Sequence, residues 1–134
     1  MQYAKLNEHI GVAGQIAVEQ VADVAAAGYR VLINNRPDGE EPGQPTAAEI
    51  GEAAAAAGLE YHHLPITAMN FPGPDVARIT SLFNDSEQAV FAFCRSGTRC
   101  TNLWVATRDE AGRRAAAERA LSLGFDLGMA ARFL

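Results

Sequence analysis

The sequence predicts an α/β fold, a small and mostly parallel central sheet flanked by helices. Short β-prone apolar runs, clearest at residues 29–34 and 89–93, are bounded by polar or glycine residues as buried strands are. Segments with apolar residues at helical spacing alternate with them. The connections between these segments are short, so each helix serves as a crossover that packs on one face of the sheet.

Taken in order, residues 10–13 follow a polar lead-in and read as a short strand, with Gly14 as punctuation. Val18, Val21, Ala22, Ala25 and Ala26 recur at helical spacing, and Gly28 falls where a helix ends in a left-handed residue. The strand at 29–34 leads into a long loop at 35–45, where three prolines and two glycines prevent regular structure. Thr46 followed by Glu49 is a capping box, each side chain satisfying the other's free backbone N–H, so a helix runs from 47 to about 57 and closes at Gly58. Residues 59–64 form a strand and 65–73 a loop. Pro74 suits the first turn of a third helix carrying Val76, Ile79, Leu82 and Phe83, with Asp75 favouring its dipole. Beyond the strand at 89–93, helices are expected at 101–107 and 113–123, with Trp104 in the core, and a terminal turn at 124–127.

At 134 residues the chain suits a single domain spanning 1–134, with about two-thirds of its unfolded surface buried. No apolar run reaches the roughly 18 residues of a membrane span, and the N-terminus is too polar for a signal peptide, so a cytoplasmic protein with no membrane partner is expected. A net charge of -5 argues against nucleic-acid binding, which needs clustered cations. The basic residues are nearly all Arg, whose planar fork suits a small anionic substrate better than a polymer. Four metal ligands at zinc spacing are absent and no cofactor is called for.

The chemistry gathers after the strand at 89–93, in Cys94-Arg95-Ser96-Gly97-Thr98-Arg99-Cys100. This loop enters a helix, whose free N–H groups favour anions and acidify a thiol. Cys94 is the candidate nucleophile. Arg99, together with Arg95, Ser96, Gly97 and Thr98, forms the candidate anion site, Gly97 letting the backbone curl. Arg36 and the loop after Leu64 also lie at carboxyl ends of strands, where such sheets bind ligands. Arg36 either adds a second positive charge there or pins the long loop through Glu40 or Glu41.

Cys94 to Arg99 resembles the active-site loops of two cysteine-dependent groups, the tyrosine and dual-specificity phosphatases and the rhodanese sulfurtransferases. Four residues separate Cys94 from Arg99, one fewer than in phosphatases and closer to the rhodanese pattern. Taken with Asn34-Asn35-Arg36-Pro37-Asp38-Gly39-Glu40 and the spacing to Gly58, the loop is similar to the phosphatase-like domain of the beta-lactamase hydrolase-like proteins, over roughly residues 5–128. That resemblance implies a cysteine-dependent phosphatase fold, a nucleophile at Cys94 and an anion-binding Arg99. Two departures stand out. Cys100 replaces the hydroxyl residue that follows the loop Arg in phosphatases, with Thr101 displaced by one. The stretch where a dual-specificity phosphatase carries its acidic residue is here Leu64-Pro65-Ile66-Thr67, which has no acid. Asp38 is the candidate general acid, although Asp after Pro is also an ordinary turn residue. Asp75 is better explained by its helix start.

His62 and His63 point to opposite faces of a strand, one expected buried and hydrogen-bonded and the other exposed. Cys100 is a candidate redox partner of Cys94, its default being a small buried hydrophobe. Three functions follow: a phosphatase-like hydrolase forming a thiol-phosphate on a small phosphoester or phosphoprotein; a rhodanese-like sulfurtransferase or persulfide carrier using thiosulfate or sulfide-derived sulfur; and a non-catalytic anion-binding or redox-sensing module.

Overall fold

A computed structural model describes residues 1–85 and 87–134. Five strands form one sheet: β1 (Ala4–Lys5), β2 (Ile10–Ala13), β3 (Val31–Asn34), β4 (Glu60–His63) and β5 (Val90–Phe93). Their spatial order is β1-β2-β5-β3-β4, and every pairing is parallel except the antiparallel β1–β2 edge. The mostly parallel sheet expected from the sequence is therefore present, and β1 is an addition. Two residues of mixed polarity, AK, give no periodic signal to read.

The central strands alternate between two apolar layers. Val31, Ile33, Val90 and Ala92 point into one layer, with Ile79, Phe83, Leu103, Trp104 and Val105. Leu32, Phe91 and Phe93 point into the other, with Val21, Val24, Ile50 and Ala54. A strand buried on both faces has no polar side, which is why β5 reads as an unbroken apolar run. The helices are divided accordingly. α1 (Val21–Ala26, preceded by a 3-10 turn at Val18–Gln20) and α2 (Ala47–Ala56) cover one face; α3 (Val76–Asn84), α4 (Thr98–Ala106) and α5 (Glu110–Ser122) cover the other, and a 3-10 turn at Ala131–Phe133 closes the chain.

Local chemistry sets most boundaries. Thr46 and Glu49 form the predicted capping box at the start of α2. α4 begins at Thr98 rather than 101, because the helix starts inside the cysteine loop. α5 begins at Glu110 rather than 113, where the Asp109 carboxylate accepts the Gly112 N–H at 2.7 Å. Asp75 sits at the N-cap of α3 without a side-chain capping bond, so Pro74 precedes the helix instead of opening it. Among the described residues no helix is long and apolar enough to cross a membrane.

The four parallel strands end on one edge, and backbone bonds extend their ladder past the sheet. Cys94 N–H donates to Ala13 O at 3.3 Å, Asn35 N–H to Phe93 O at 2.9 Å and Ile66 N–H to Asn35 O at 3.1 Å. The loops after β2, β3, β4 and β5 thereby converge.

Candidate active site

Cys94 is the first residue beyond β5 and is fully buried. Its sulfur accepts the Gly97 N–H at 3.1 Å. That contact needs a chain reversal, which Gly97 supplies with φ +87°; a Cβ here would lie 3.3 Å from the Phe125 ring and 3.4 Å from the Ala13 carbonyl. The Cys94 thiol is lowered to about 6, first by the Cys100 thiol donating to it. Burial opposes this, and the N–H groups of Cys100, Ser96 and Arg99 add to the lowering. At neutral pH Cys94 is mostly thiolate.

Cys100, in the first turn of α4, is fully buried as well. Burial pushes its own thiol well up, reinforced by its hydrogen bond to Cys94, so it keeps its proton and acts as a donor. The position that carries a hydroxyl in phosphatases thus still carries a donor. Thr101 serves the loop, donating its hydroxyl to the Gly97 carbonyl at 2.9 Å. Ser96 donates to the Thr98 hydroxyl at 3.0 Å across the curl.

Arg99 is held from two sides. Its Nη1 donates to the Ile66 carbonyl at 3.1 Å and its Nη2 to Glu40 Oε1 at 2.7 Å. A guanidinium has five N–H donors. The Nε–H and one N–H on each terminal nitrogen remain without a protein acceptor among the described residues, enough for a bidentate grip on an oxyanion. Burial works to raise the Glu40 carboxyl, but the bonds from Arg99 and Arg36 outweigh it and hold it below the usual range.

The contacts of Arg36 are those of a loop anchor. Its side chain is fully buried, with Nε on Glu40 at 2.8 Å, Nη1 on Gln15 at 3.1 Å and Nη2 on Glu41 at 3.1 Å. Burial tends to lower its pKa, but the two carboxylates raise it overall, so it stays charged. Arg95 is the open cation of the loop, its side chain 65% exposed and its Nη2 a loose 3.9 Å from Glu41. Asp38 is exposed, and its carboxylate accepts the Ala47 N–H at 2.7 Å, tying the long loop to the start of α2. The acid brought to Arg99 is Glu40, not Asp38.

His62 and His63 diverge as expected, but neither is exposed: His62 Nε2 lies 2.7 Å from Glu60 Oε2, and His63 Nε2 donates to the Arg36 carbonyl at 2.9 Å. Trp104 is in the core at 5% exposure. The described residues hold no metal-capable cluster of His, Cys, Asp and Glu.

Three supporting groups escape a sequence reading. Glu40 meets Arg99 across 59 positions, and no local pattern encodes that distance. Gln15 reaches Arg36 from the loop after β2. Asn102 is fully buried in α4; its amide donates to the Thr98 and Asp126 carbonyls, both at 2.8 Å, and its carbonyl accepts the Ala130 N–H at 3.0 Å. A carboxamide inside an apolar helix was the available signal, since a buried polar group needs partners.

The family model for the beta-lactamase hydrolase-like protein, phosphatase-like domain, matches residues 2–111. The chain belongs to this family. The beta-lactamase hydrolase-like protein of Agrobacterium fabrum is 36% identical over the whole chain, which spans 32% of that relative's length. A crystal structure of a candidate phosphatase from Neisseria meningitidis is 34% identical, with a TM-score of 0.81 over 96% of this chain and 94% of that one. The fold is also shared with PTPMT1 in complex with PI(5)P, at 14% identity and a TM-score of 0.72 over 98% and 93% of the two chains. This phosphatase-like domain thus has the fold and family expected from its cysteine loop.

Proposed function

We propose that this domain is a cysteine-dependent hydrolase of small phosphoesters. The observation that carries the proposal is the Cys94 sulfur held by the Gly97 N–H at 3.1 Å in a loop whose Arg99 keeps donors open to an oxyanion, with the thiol lowered to about 6. The Cys94 sulfur attacks phosphorus, the ester oxygen leaves with its electron pair, and water then releases phosphate from the thiol-phosphate. Arg99 and the loop N–H groups neutralise the phosphoryl oxygens as charge builds on them.

The acids near the loop shape the substrate. Glu40 is held ionised by Arg99 and Arg36, so it has no proton to give at neutral pH. Asp38 is tied to the start of α2 by the Ala47 N–H on its Oδ1 at 2.7 Å, away from the Arg99 contact that Glu40 makes. The reading therefore favours leaving groups that depart without protonation, such as acidic phenols. With purified protein, aryl phosphates should turn over in a Cys94-dependent manner, and the rate should rise steeply with the acidity of the phenol. No Cys94-dependent turnover across about pH 5 to 8, a range bracketing the thiol's pKa, overturns it.

Two features favour a second reading. The loop is one residue shorter than in phosphatases, and a thiol rather than a hydroxyl faces Cys94. Those features suit sulfur transfer: Cys94 attacks the outer sulfur of thiosulfate, the S–S bond breaks, sulfite leaves with the electron pair, and a persulfide stays on Cys94. Intact mass after thiosulfate treatment separates the two, since only this reading adds one sulfur.

A further inference from the structure

Three arginines and two glutamates form an arc of alternating charge beside the cysteine loop. Arg99 Nη2 lies 2.7 Å from Glu40 Oε1, and the same oxygen takes Arg36 Nε at 2.8 Å. Arg36 Nη2 lies 3.1 Å from Glu41 Oε1, and Glu41 Oε2 lies 3.9 Å from Arg95 Nη2. Both ends of the arc are therefore arginines of the loop that carries Cys94. Three cations against two anions leave one positive charge over among these five groups. The side chains of Arg36, Arg99 and Arg95 are 0%, 16% and 65% exposed, so the surplus is not shared evenly. Arg36 is enclosed with its acceptors, whereas Arg95 stands in solvent with the longest contact of the four.

Arg95 is fixed at its backbone and free at its tip. Its carbonyl accepts the Gln15 N–H at 3.3 Å, and a Cβ on Gly14 would come within 2.9 Å of that carbonyl, so the loop after β2 packs directly on the Arg95 main chain. Among the described residues the one carboxylate near its guanidinium is Glu41, whose other oxygen is already held by Arg36. An exposed pair at this separation contributes little, and an incoming anion replaces it at small cost.

We infer that Arg95 is a specificity-determining residue, and that the substrate is a phosphoester whose leaving alcohol carries a second oxyanion, a carboxylate or a further phosphate. This rests on the hydrolase reading above. The scissile phosphoryl group takes the open donors of Arg99, and the second oxyanion takes the Arg95 end, where a planar guanidinium grips two oxygens at once. Glu40 and Glu41 lie between the two ends and repel an anion placed along the arc, so the site selects spacing as well as charge. Arg95 makes and breaks no bond in the reaction; it holds the part of the substrate that leaves. Glu41 competes with that part for Arg95 and so sets the strength of the preference.

The probes are phenyl phosphates bearing a carboxylate or a second phosphate at the meta or para position, with the matching carboxamides as neutral controls. Each is titrated against the initial rate of Cys94 alkylation by iodoacetamide in the full chain, with peptide mapping to separate Cys94 from Cys100. In wild type at low ionic strength, at least one anionic probe should protect Cys94 at a concentration lower by roughly three- to tenfold than its carboxamide, the scale of one partly solvated charge pair. The stronger of the carboxylate and phosphate arms identifies the oxyanion. The ratio should disappear in Arg95→Ala, reverse in Arg95→Glu, grow in Glu41→Gln and shrink as salt is added. Taking a ratio within each variant cancels any change in the grip on the phosphoryl group itself. A wild type with no preference at either ring position, or a preference that survives in Arg95→Ala, overturns the proposal. Failure of every probe and of inorganic phosphate to slow alkylation strikes the hydrolase reading and this proposal with it, whereas protection without a charge preference strikes this proposal alone.

Discussion

The Glu40 carboxylate accepts the Arg99 guanidinium at 2.7 Å through the same oxygen that holds Arg36 at 2.8 Å. One atom thereby joins the loop after β3 to the first turn of α4. Removing it in Glu40→Ala should destabilise the fold by about 1–3 kcal/mol, as charged hydrogen bonds do. Solvent screening at a side chain 23% exposed favours the low end of that range. Glu40→Gln keeps an acceptor and should lose less, which urea unfolding measures. The acid response follows from the depressed carboxyl. Its contribution is full above the unfolded value of about 4.3 and is lost as pH falls through the lower folded value. Stability measured against pH in that acid window should fall less steeply in Glu40→Gln than in wild type.

Arg36 has no solvent to fall back on. Its fully buried guanidinium reaches Glu40, Glu41 and Gln15 with three separate nitrogens. Arg36→Ala should cost less than the about 3–5 kcal/mol of a pair buried on both sides, because Glu40 and Glu41 are 23% and 46% exposed and Glu40 keeps its bond from Arg99. Arg36→Lys should recover only part of this, because an ammonium cannot address three acceptors from one planar fork. Chemical denaturation of both variants checks the order.

What could be read from the sequence is what local patterns encode. β5 and the cysteine loop stand out because an apolar run buried on both faces ends abruptly in small and polar residues. The capping box at Thr46 and Glu49 is legible because both partners lie within one turn. Nothing local reveals that Glu40 crosses to Arg99, that Asp38 faces Ala47, or that Ile66 lends its carbonyl to the site. The two contacts with Arg99 follow from the strand order, which brings the loops after β3 and β4 beside the one after β5, whereas Asp38 meets Ala47 within the one connection from β3 to α2. The sequence puts the start of α4 late, at 101, for a related reason. Residues 98–100 read as active-site loop by composition, yet the left-handed Gly97 lets the helix begin directly after it.

Gly97 offers a third test. Its φ of +87° lies where a Cβ is strained, and a methyl group would press on the Phe125 ring at 3.3 Å and the Ala13 carbonyl at 3.4 Å. Gly97→Ala should lose about 1–2 kcal/mol from backbone strain alone. The larger consequence is local, since relaxing that strain turns the Gly97 N–H away from the Cys94 sulfur. Thiol alkylation should then slow at neutral pH even under conditions where the variant remains folded by circular dichroism.

The thiol itself sets the pH dependence. With Cys94 at about 6, its alkylation rate should climb with a midpoint near that value and level off above it. Cys100 is the largest source of the lowering, with burial opposing it. Cys100→Ala should therefore move the midpoint upward, toward or beyond the free-thiol value of about 8.5, whereas Cys100→Ser retains a donor and should stay closer to wild type. A linked effect on stability has a definite sign. Between about 6 and about 8.5 the unfolded chain holds a proton on Cys94 that the folded chain has released, so unfolding free energy rises with pH across that window. The contribution is complete above the unfolded value and lost as pH falls through the folded one. Denaturation midpoints of wild type and Cys94→Ser, compared at the two ends of the window, should show the rise in wild type and its absence in the variant.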